Sequence, residues 1–273
     1  MSTSYHPSED VTKEINVEGV QFYQELIGIL RWAVDIVRVD ILLEVSLLSS
    51  HLALPIIGHL QALYHIFGYL KQVPKRKLYF DPVSPLVSED HFHKFDWEDF
   101  YRDSKEAIPD DMPKPRGKIM TTHCFVDANN AADKVTRRSQ TGLLIFCNRT
   151  PILWFSKIQN SVESSNFGSD FTALKNAVEL VTAIRYKLRM FGVPVDGPTD
   201  MFFNKKALYK NSSTPESVLR KKHHSVAYHK CCEAVTSGIC RIAKEDTETN
   251  LADIFNKVLP GLRRERLMDM FTY

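Results

Sequence analysis

Asp127, Asp170 and Asp253 are the residues of this chain best placed to do chemistry. Asp170 belongs to a stripe of Phe167, Asp170, Leu174, Ala177, Val181, Ile184 and Leu188, spaced in alternating steps of three and four, so these side chains line one helix face. That face is apolar and points at a core. An ionised carboxylate there is costly unless it is paired, protonated or bound to a metal. Asp127 interrupts the apolar run Cys124, Phe125 and Val126, which reads as a buried strand, at the point where the strand would end. Asp253 falls in the first turn of a last helix, where the helix dipole favours an acid whatever its chemistry.

The elements that must position these acids follow from the pattern around them. After the strand carrying Asp127, two apolar runs, Thr141 to Cys147 and Pro151 to Phe155, flank Asn148-Arg149-Thr150, a connection suited to a hairpin. The long helix follows, and Val193-Pro194-Val195-Asp196-Gly197-Pro198 ends it with a turn. Met201 to Phe203 forms a fourth short strand that stops at Asn204. A helix is predicted from about Ser217 to Thr236 with Gly238 as its C-terminal cap, then a strand from Ile239 to Ala243. Thr249 or Asn250 caps the last helix, predicted to run through Leu251, Phe255, Val258 and Leu259. The order of elements is a mixed α/β plan.

Composition bounds the function classes. At 273 residues the chain can hold one medium domain and a helical appendage, and 35 Lys and Arg against 33 Asp and Glu give no global field for nucleic acid. Basic residues cluster locally, as Lys134, Arg137 and Arg138, as Arg220, Lys221 and Lys222, and as Arg263, Arg264 and Arg266. Five cysteines, two of them adjacent at 231 and 232, do not form a disulfide framework and suggest a reducing compartment. His229 and Cys232 share a helical face, yet no second pair stands at zinc-finger spacing, and His91 and His93 lie apart in an acidic, aromatic stretch. No secretory or transit signal opens the sequence. Val45 to Leu70 contains no charged residue, but Pro55, Gly58 and three histidines favour a packed helical pair over a membrane span. Residues 74–118, with Pro82, Pro85, Pro109, Pro113 and Pro115, read as a partly disordered linker between a helical front, 1–73, and an α/β back, 119–273.

This plan resembles the ribonuclease H fold, a mixed five-stranded sheet with flanking helices, here preceded by a helical segment. Phe125-Val-Asp-Ala128, Thr136-Arg-Arg-Ser-Gln-Thr-Gly142, Trp154-Phe-Ser-Lys157, Val162-Glu-Ser-Ser165 and Asn250-Leu-Ala-Asp-Ile-Phe255 are similar to the ribonuclease H domain of copia-type retrotransposon polyproteins. Tyr23-Gln-Glu-Leu-Ile-Gly28, Val45-Ser-Leu-Leu-Ser-Ser-His51, Gly58-His59 and His65-Ile-Phe-Gly-Tyr-Leu-Lys71 resemble the segment after the reverse-transcriptase palm in the same polyproteins. No Tyr-x-Asp-Asp word is present, so polymerase chemistry would need a separate palm.

The resemblance implies a function and a site. In that family four acids hold two magnesium ions, one activating water and the other stabilising the leaving oxygen as an RNA/DNA hybrid is cut. Carried over position by position, the four fall on Asp127, on Asp170 where the family has Glu, on Asn204 where it has Asp, and on Asp253. Asp127, Asp170 and Asp253 are then the expected magnesium ligands, and Arg137, Arg138, Ser139, Ser156 and Lys157 the expected nucleic-acid contacts. The shorter acid at 170, the neutral amide at 204, and Lys205 and Lys206 beside it all weaken a two-cation site. Asn129, Cys232 and the pair Ile56-Ile57 are further departures from the family's words. The expectation is a retrotransposon remnant that binds hybrid with an absent or feeble nuclease, in the cytoplasm or nucleus and without a membrane role. An active magnesium-dependent hybrid nuclease and a non-catalytic interaction domain are the alternatives.

Overall fold

The computed structural model describes residues 10–92, 101, 103–205 and 225–273, and the chain divides into two compact units, Met1–Lys77 and Leu78–Tyr273. Unit 1 is helical: α1 spans Val17–Ile36, α2 Leu42–Ser49 and α3 Ile57–Gln72. Asn16 starts α1 by accepting a hydrogen bond from the Gly19 N–H. Tyr23, Ile27, Leu30 and Val34 recur at helical spacing on the buried face of α1, where Leu63 and Ile66 of α3 are buried too. Tyr23 satisfies its buried hydroxyl on the Leu48 carbonyl at 2.8 Å. The uncharged stretch from Val45 thus becomes part of a helical core, and no described helix is long and apolar enough to cross a membrane.

Unit 2 is a five-stranded mixed sheet with flanking helices, as the sequence predicts. Strands β1 (Thr122–Asn129), β2 (Gln140–Cys147) and β3 (Thr150–Ile158) form an antiparallel meander. Asn148 makes the turn between β2 and β3 at φ +53°, a conformation that asparagine tolerates well. Helix α4 (Asn166–Met190) follows, then β4 (Thr199–Phe203), α5 (Ser225–Thr236) and β5 (Cys240–Lys244). Strand β4 pairs parallel to β1 and β5 parallel to β4, giving the order β3-β2-β1-β4-β5. The front of the helix expected from Ser217 lies outside the described residues, as do Lys206, the 220–224 cluster and His93. Gly238 at φ +72° closes α5, with the Ile239 N–H returning to the Ala234 carbonyl.

Alternation along β1 sends its side chains to two different cores. Cys124, Val126 and Ala128 meet Leu174, Ala177 and Val181 of α4 and Cys231 of α5. Phe125 faces the other way and stacks on Phe202 at 5.0 Å, with Phe146 and Phe271 edge-on beyond. On that second face lie a 3-10 helix, Leu251–Phe255, and α6 (Gly261–Met268).

Two expectations are corrected here. The last helix does not run through Val258 and Leu259: it ends as a 3-10 turn at Phe255, and Val258 is exposed. Asn256 and Lys257 turn inward instead, and Pro260 cannot continue a helix. The stretch read as a linker is not a spacer over its described part, since from Leu78 it belongs to unit 2. Tyr79 donates its N–H to the Phe271 carbonyl, Asn148 donates to the Pro82 carbonyl, and Arg116 donates its N–H to Gly192. Glu106 lies between Arg185 and Arg189 of α4, with bonds of 2.6–2.9 Å to both guanidinium groups. These are long-range polar contacts, which leave no periodic trace in a sequence.

Candidate acidic centre

Asp127 sits near the end of β1 on the face away from α4, with Asp253 coming from the 3-10 helix packed on that same face. Asn250 caps this helix by accepting from the Ala252 N–H and anchors it by donating to the Val126 carbonyl. The helix approaches closely because β2 presents Gly142 there: a Cβ at 142 would stand 2.6 Å from the Ala252 carbonyl oxygen. Asp170 enters from the first turns of α4, whose N-cap is Ser165. Asp127, Asp170 and Asp253 are 2%, 2% and 0% exposed, so each is an acid out of water. The charge of Asp127 bears on both of the others.

Cations of the protein's own occupy the cluster. Lys257 Nζ lies 2.7 Å from Asp127 Oδ2 and 2.7 Å from Asp253 Oδ1, bridging the two acids. Arg263 Nη2 takes the other Asp253 oxygen at 2.8 Å, and Asn256 Nδ2 donates to Asp127 Oδ2 at 2.8 Å. Lys205 forms an ion pair with Asp170 Oδ2, while Asp170 Oδ1 is buried without a hydrogen-bond partner. Burial pushes the Asp170 carboxyl up to about 6, aided by Asp127 and opposed by Lys205. Asp253 is raised for the same first reason, with Asp127 adding to it. Burial pulls Lys257 down, but the two aspartates outweigh it, and its ammonium is held above the usual range.

These residues do not fit a two-magnesium centre as they stand. Magnesium takes about six oxygens in near-octahedral geometry. Among the described residues no three His, Cys, Asp or Glu side chains are placed to hold a metal ion. Asp127 and Asp253 meet on the shared ammonium of Lys257, and Asp170 lies within electrostatic reach of Asp127 and Lys257 with its own cation in Lys205. Asn204 follows β4 directly and is half-buried.

The expected nucleic-acid contacts divide. Arg137, Arg138 and Lys157 are exposed. Ser139 is fully buried, accepting from the Ala131 N–H and donating to Asn130, and so cannot face a nucleic acid. Ser156 is half-buried and donates to the Phe255 carbonyl at 2.6 Å while accepting from Gln140. Both hydroxyls are taken because a buried donor must find a partner. Lys157 lines a groove of about 440 Å³ with Gln159, Asn160, Thr172, Lys175, Asn176 and Glu179, on a face of α4 other than the one that carries Asp170.

Sequence reasoning missed Lys257, Asn256 and Gly142. Lys257 stands four residues after Asp253, the spacing of a helical ion pair, and that signal was legible. Its second bond, to Asp127, depends on how the backbone turns after Phe255. Of the zinc candidates, Cys232 is buried in the core and His229 hydrogen-bonds the Tyr101 hydroxyl.

No family model matches the chain. It is 24% identical over 237 residues to the retrovirus-related Pol polyprotein from transposon RE1 of Arabidopsis thaliana, covering 87% of this chain and 14% of that one. It is 24% identical over 245 residues to the Pol polyprotein from transposon TNT 1-94 of Nicotiana tabacum, covering 87% of this chain and 15% of that one. The chain therefore spans about one-seventh of the length of the curated relatives it matches, which are copia-type. Among solved structures, LC11-RNase H1 in complex with RNA/DNA hybrid matches at TM-score 0.40 and 15% identity, covering 50% of this chain and 94% of that one. The N-terminal RNase H domain of rv2228c from Mycobacterium tuberculosis matches at TM-score 0.38 and 11% identity, covering 55% of this chain and 94% of that one.

Proposed function

We propose that this relative of copia-type retrotransposon Pol polyproteins is a degenerate fragment of such a polyprotein, whose ribonuclease H-like unit binds RNA/DNA hybrid while its nuclease is absent or feeble. The observation that carries the second half is Lys257, whose ammonium bridges Asp127 and Asp253 where a catalytic cation would have to sit. Hybrid binding is supported by the groove between β3 and α4, where Lys157 and Lys175 can meet phosphates and Asn160 and Asn176 can donate to backbone oxygens, with Glu179 as the one acid in its wall. Arg137 and Arg138 are further exposed cations on the β1–β2 connection. In this reading residues 1–73 are the segment that follows a reverse-transcriptase palm, the palm itself is a separate partner, and the protein works in the cytoplasm or nucleus.

The test is a labelled RNA/DNA hybrid offered with magnesium or manganese to the parent, to Asn204→Asp and to Asp127→Asn. Binding without cleavage by the parent is the expected result. Cleavage by the parent that Asp127→Asn abolishes would sink the proposal and establish an active hybrid nuclease. A non-catalytic interaction domain is the second reading, favoured by Phe22, Ile29, Trp32 and Ile36, large apolar side chains exposed along α1. It gains if the parent neither cuts nor binds hybrid.

A further inference from the structure

We propose that Lys257 is a built-in cation: its ammonium group stands in place of a divalent metal between Asp127 and Asp253, so the acidic centre closes and the unit folds without metal. The inference deepens the remnant reading and rests on it for the identity of the acids.

Geometry argues for substitution, not mere proximity. One nitrogen lies 2.7 Å from an oxygen of each of two acids that arrive on different elements, one from a strand and one from a 3-10 helix. Joining carboxylates from distant segments is what a shared metal does, and charge-assisted bonds of this length do it too. Other groups of the protein hold further oxygens of the cluster. Arg263 holds Asp253 Oδ2, Asn256 shares Asp127 Oδ2, and Lys205 holds Asp170 Oδ2. Three protein cations thus answer three buried carboxylates, and the centre is close to neutral before any ion arrives.

Competition then favours the lysine. Lys257 is tethered one turn from Asp253, with its N–H bonded to the Asp253 carbonyl at 3.0 Å, so its local concentration never falls. A magnesium ion would have to shed water, evict an ammonium that already makes two charge-assisted bonds, and find further oxygen ligands. Asp170 Oδ1 is the buried carboxylate oxygen without a partner in the cluster, and one oxygen does not hold the ion.

The experiment uses the full chain and manganese alone, with no nucleic acid. Thermal melting and water-proton relaxation are recorded in chelator and in manganese for the parent and for Lys257→Met. The parent should melt at the same temperature in both and bind manganese weakly. Lys257→Met should melt lower in chelator, recover in manganese, and bind the ion on the order of tenfold or more tightly than the parent, the scale on which neighbours tune a metal site. Adding Asp127→Asn to that variant should remove the gain. Equal manganese binding and equal melting shifts in parent and variant would overturn the proposal, as would a Lys257→Met protein that folds and ignores manganese. Should Lys257→Met not fold, Lys257→Gln, whose neutral amide still donates to a carboxylate, is read by the same comparison. Hybrid binding, measured by fluorescence anisotropy in chelator, tests the remnant reading separately, so either can fail alone.

Discussion

Asp127 and Gly142 face each other across the antiparallel pair of β1 and β2, and the missing side chain of one sets the surroundings of the other. The backbone of the 3-10 helix passes over Gly142, and this brings Asp253 to the lysine shared with Asp127. Gly142→Ala places a methyl carbon 2.6 Å from the Ala252 carbonyl oxygen, a contact that backbone must relieve by moving. The expected loss is about 1–3 kcal/mol of stability from overpacking. Urea denaturation measures it, and a midpoint equal to the parent's would show that the helix does not lie where described.

Asp170 makes stability depend on pH in the direction opposite to most acids. Burial raises its carboxyl from 3.8 to about 6, against the pull of Lys205, so the folded state holds the proton more tightly than the unfolded chain. Its contribution is fully present below about pH 3.8 and is lost as pH rises through about 6. Asp170→Asn should therefore gain on the parent at neutral pH, by up to about 3 kcal/mol, and the gap should close below pH 4. Denaturation midpoints of both proteins across this range decide it. A constant gap would remove Asp170 as the cause.

Glu106 provides the conventional sign. Burial raises its carboxyl, but hydrogen bonds and charge from Arg185 and Arg189 outweigh that and hold it at about 2. Its stabilisation is present above about pH 4.5 and is lost as pH falls toward 2. Glu106→Gln leaves two guanidinium groups, one of them 2% exposed, without their carboxylate, and should cost about 3–5 kcal/mol. Acid titration of tryptophan fluorescence in parent and variant tests both statements. A variant that unfolds at the parent's pH would show that another group sets the acid limit.

How much of this was legible in the sequence depends on distance along the chain. The Asp170 stripe is a local period, and α4 carries it over its whole predicted length because Leu174, Ala177 and Val181 bury against the sheet. The strands around Asp127 and Asn148 were equally local, since alternation and turn chemistry act within a few residues. Glu106, by contrast, meets Arg185 from 79 residues away, and a lone acid in a proline-rich stretch carries no mark of its partner. Ser139 and Ser156 were illegible for a related reason: a hydroxyl in a basic or aromatic word carries no mark of its partner in the fold, which is the Ala131 N–H and the Asn130 side chain for Ser139 and the Phe255 carbonyl for Ser156. Lys257 lay between these cases, with one partner readable at helical spacing and the other not.

Lys157 and Ser156 are neighbours on β3 that should separate affinity from stability. Lys157 is exposed at the groove, and its removal should weaken hybrid binding at every sequence and lower the salt slope by about one phosphate contact. Ser156 donates to the Phe255 carbonyl at the end of the 3-10 helix, so Ser156→Ala should cost about 1 kcal/mol of stability and leave hybrid affinity in place. Anisotropy titrations over a range of salt, with denaturation midpoints on the same preparations, read both effects. If Lys157→Ala leaves affinity and slope unchanged while Ser156→Ala lowers affinity, the hybrid does not run along this groove, and the serine's carbonyl bond is not its main role.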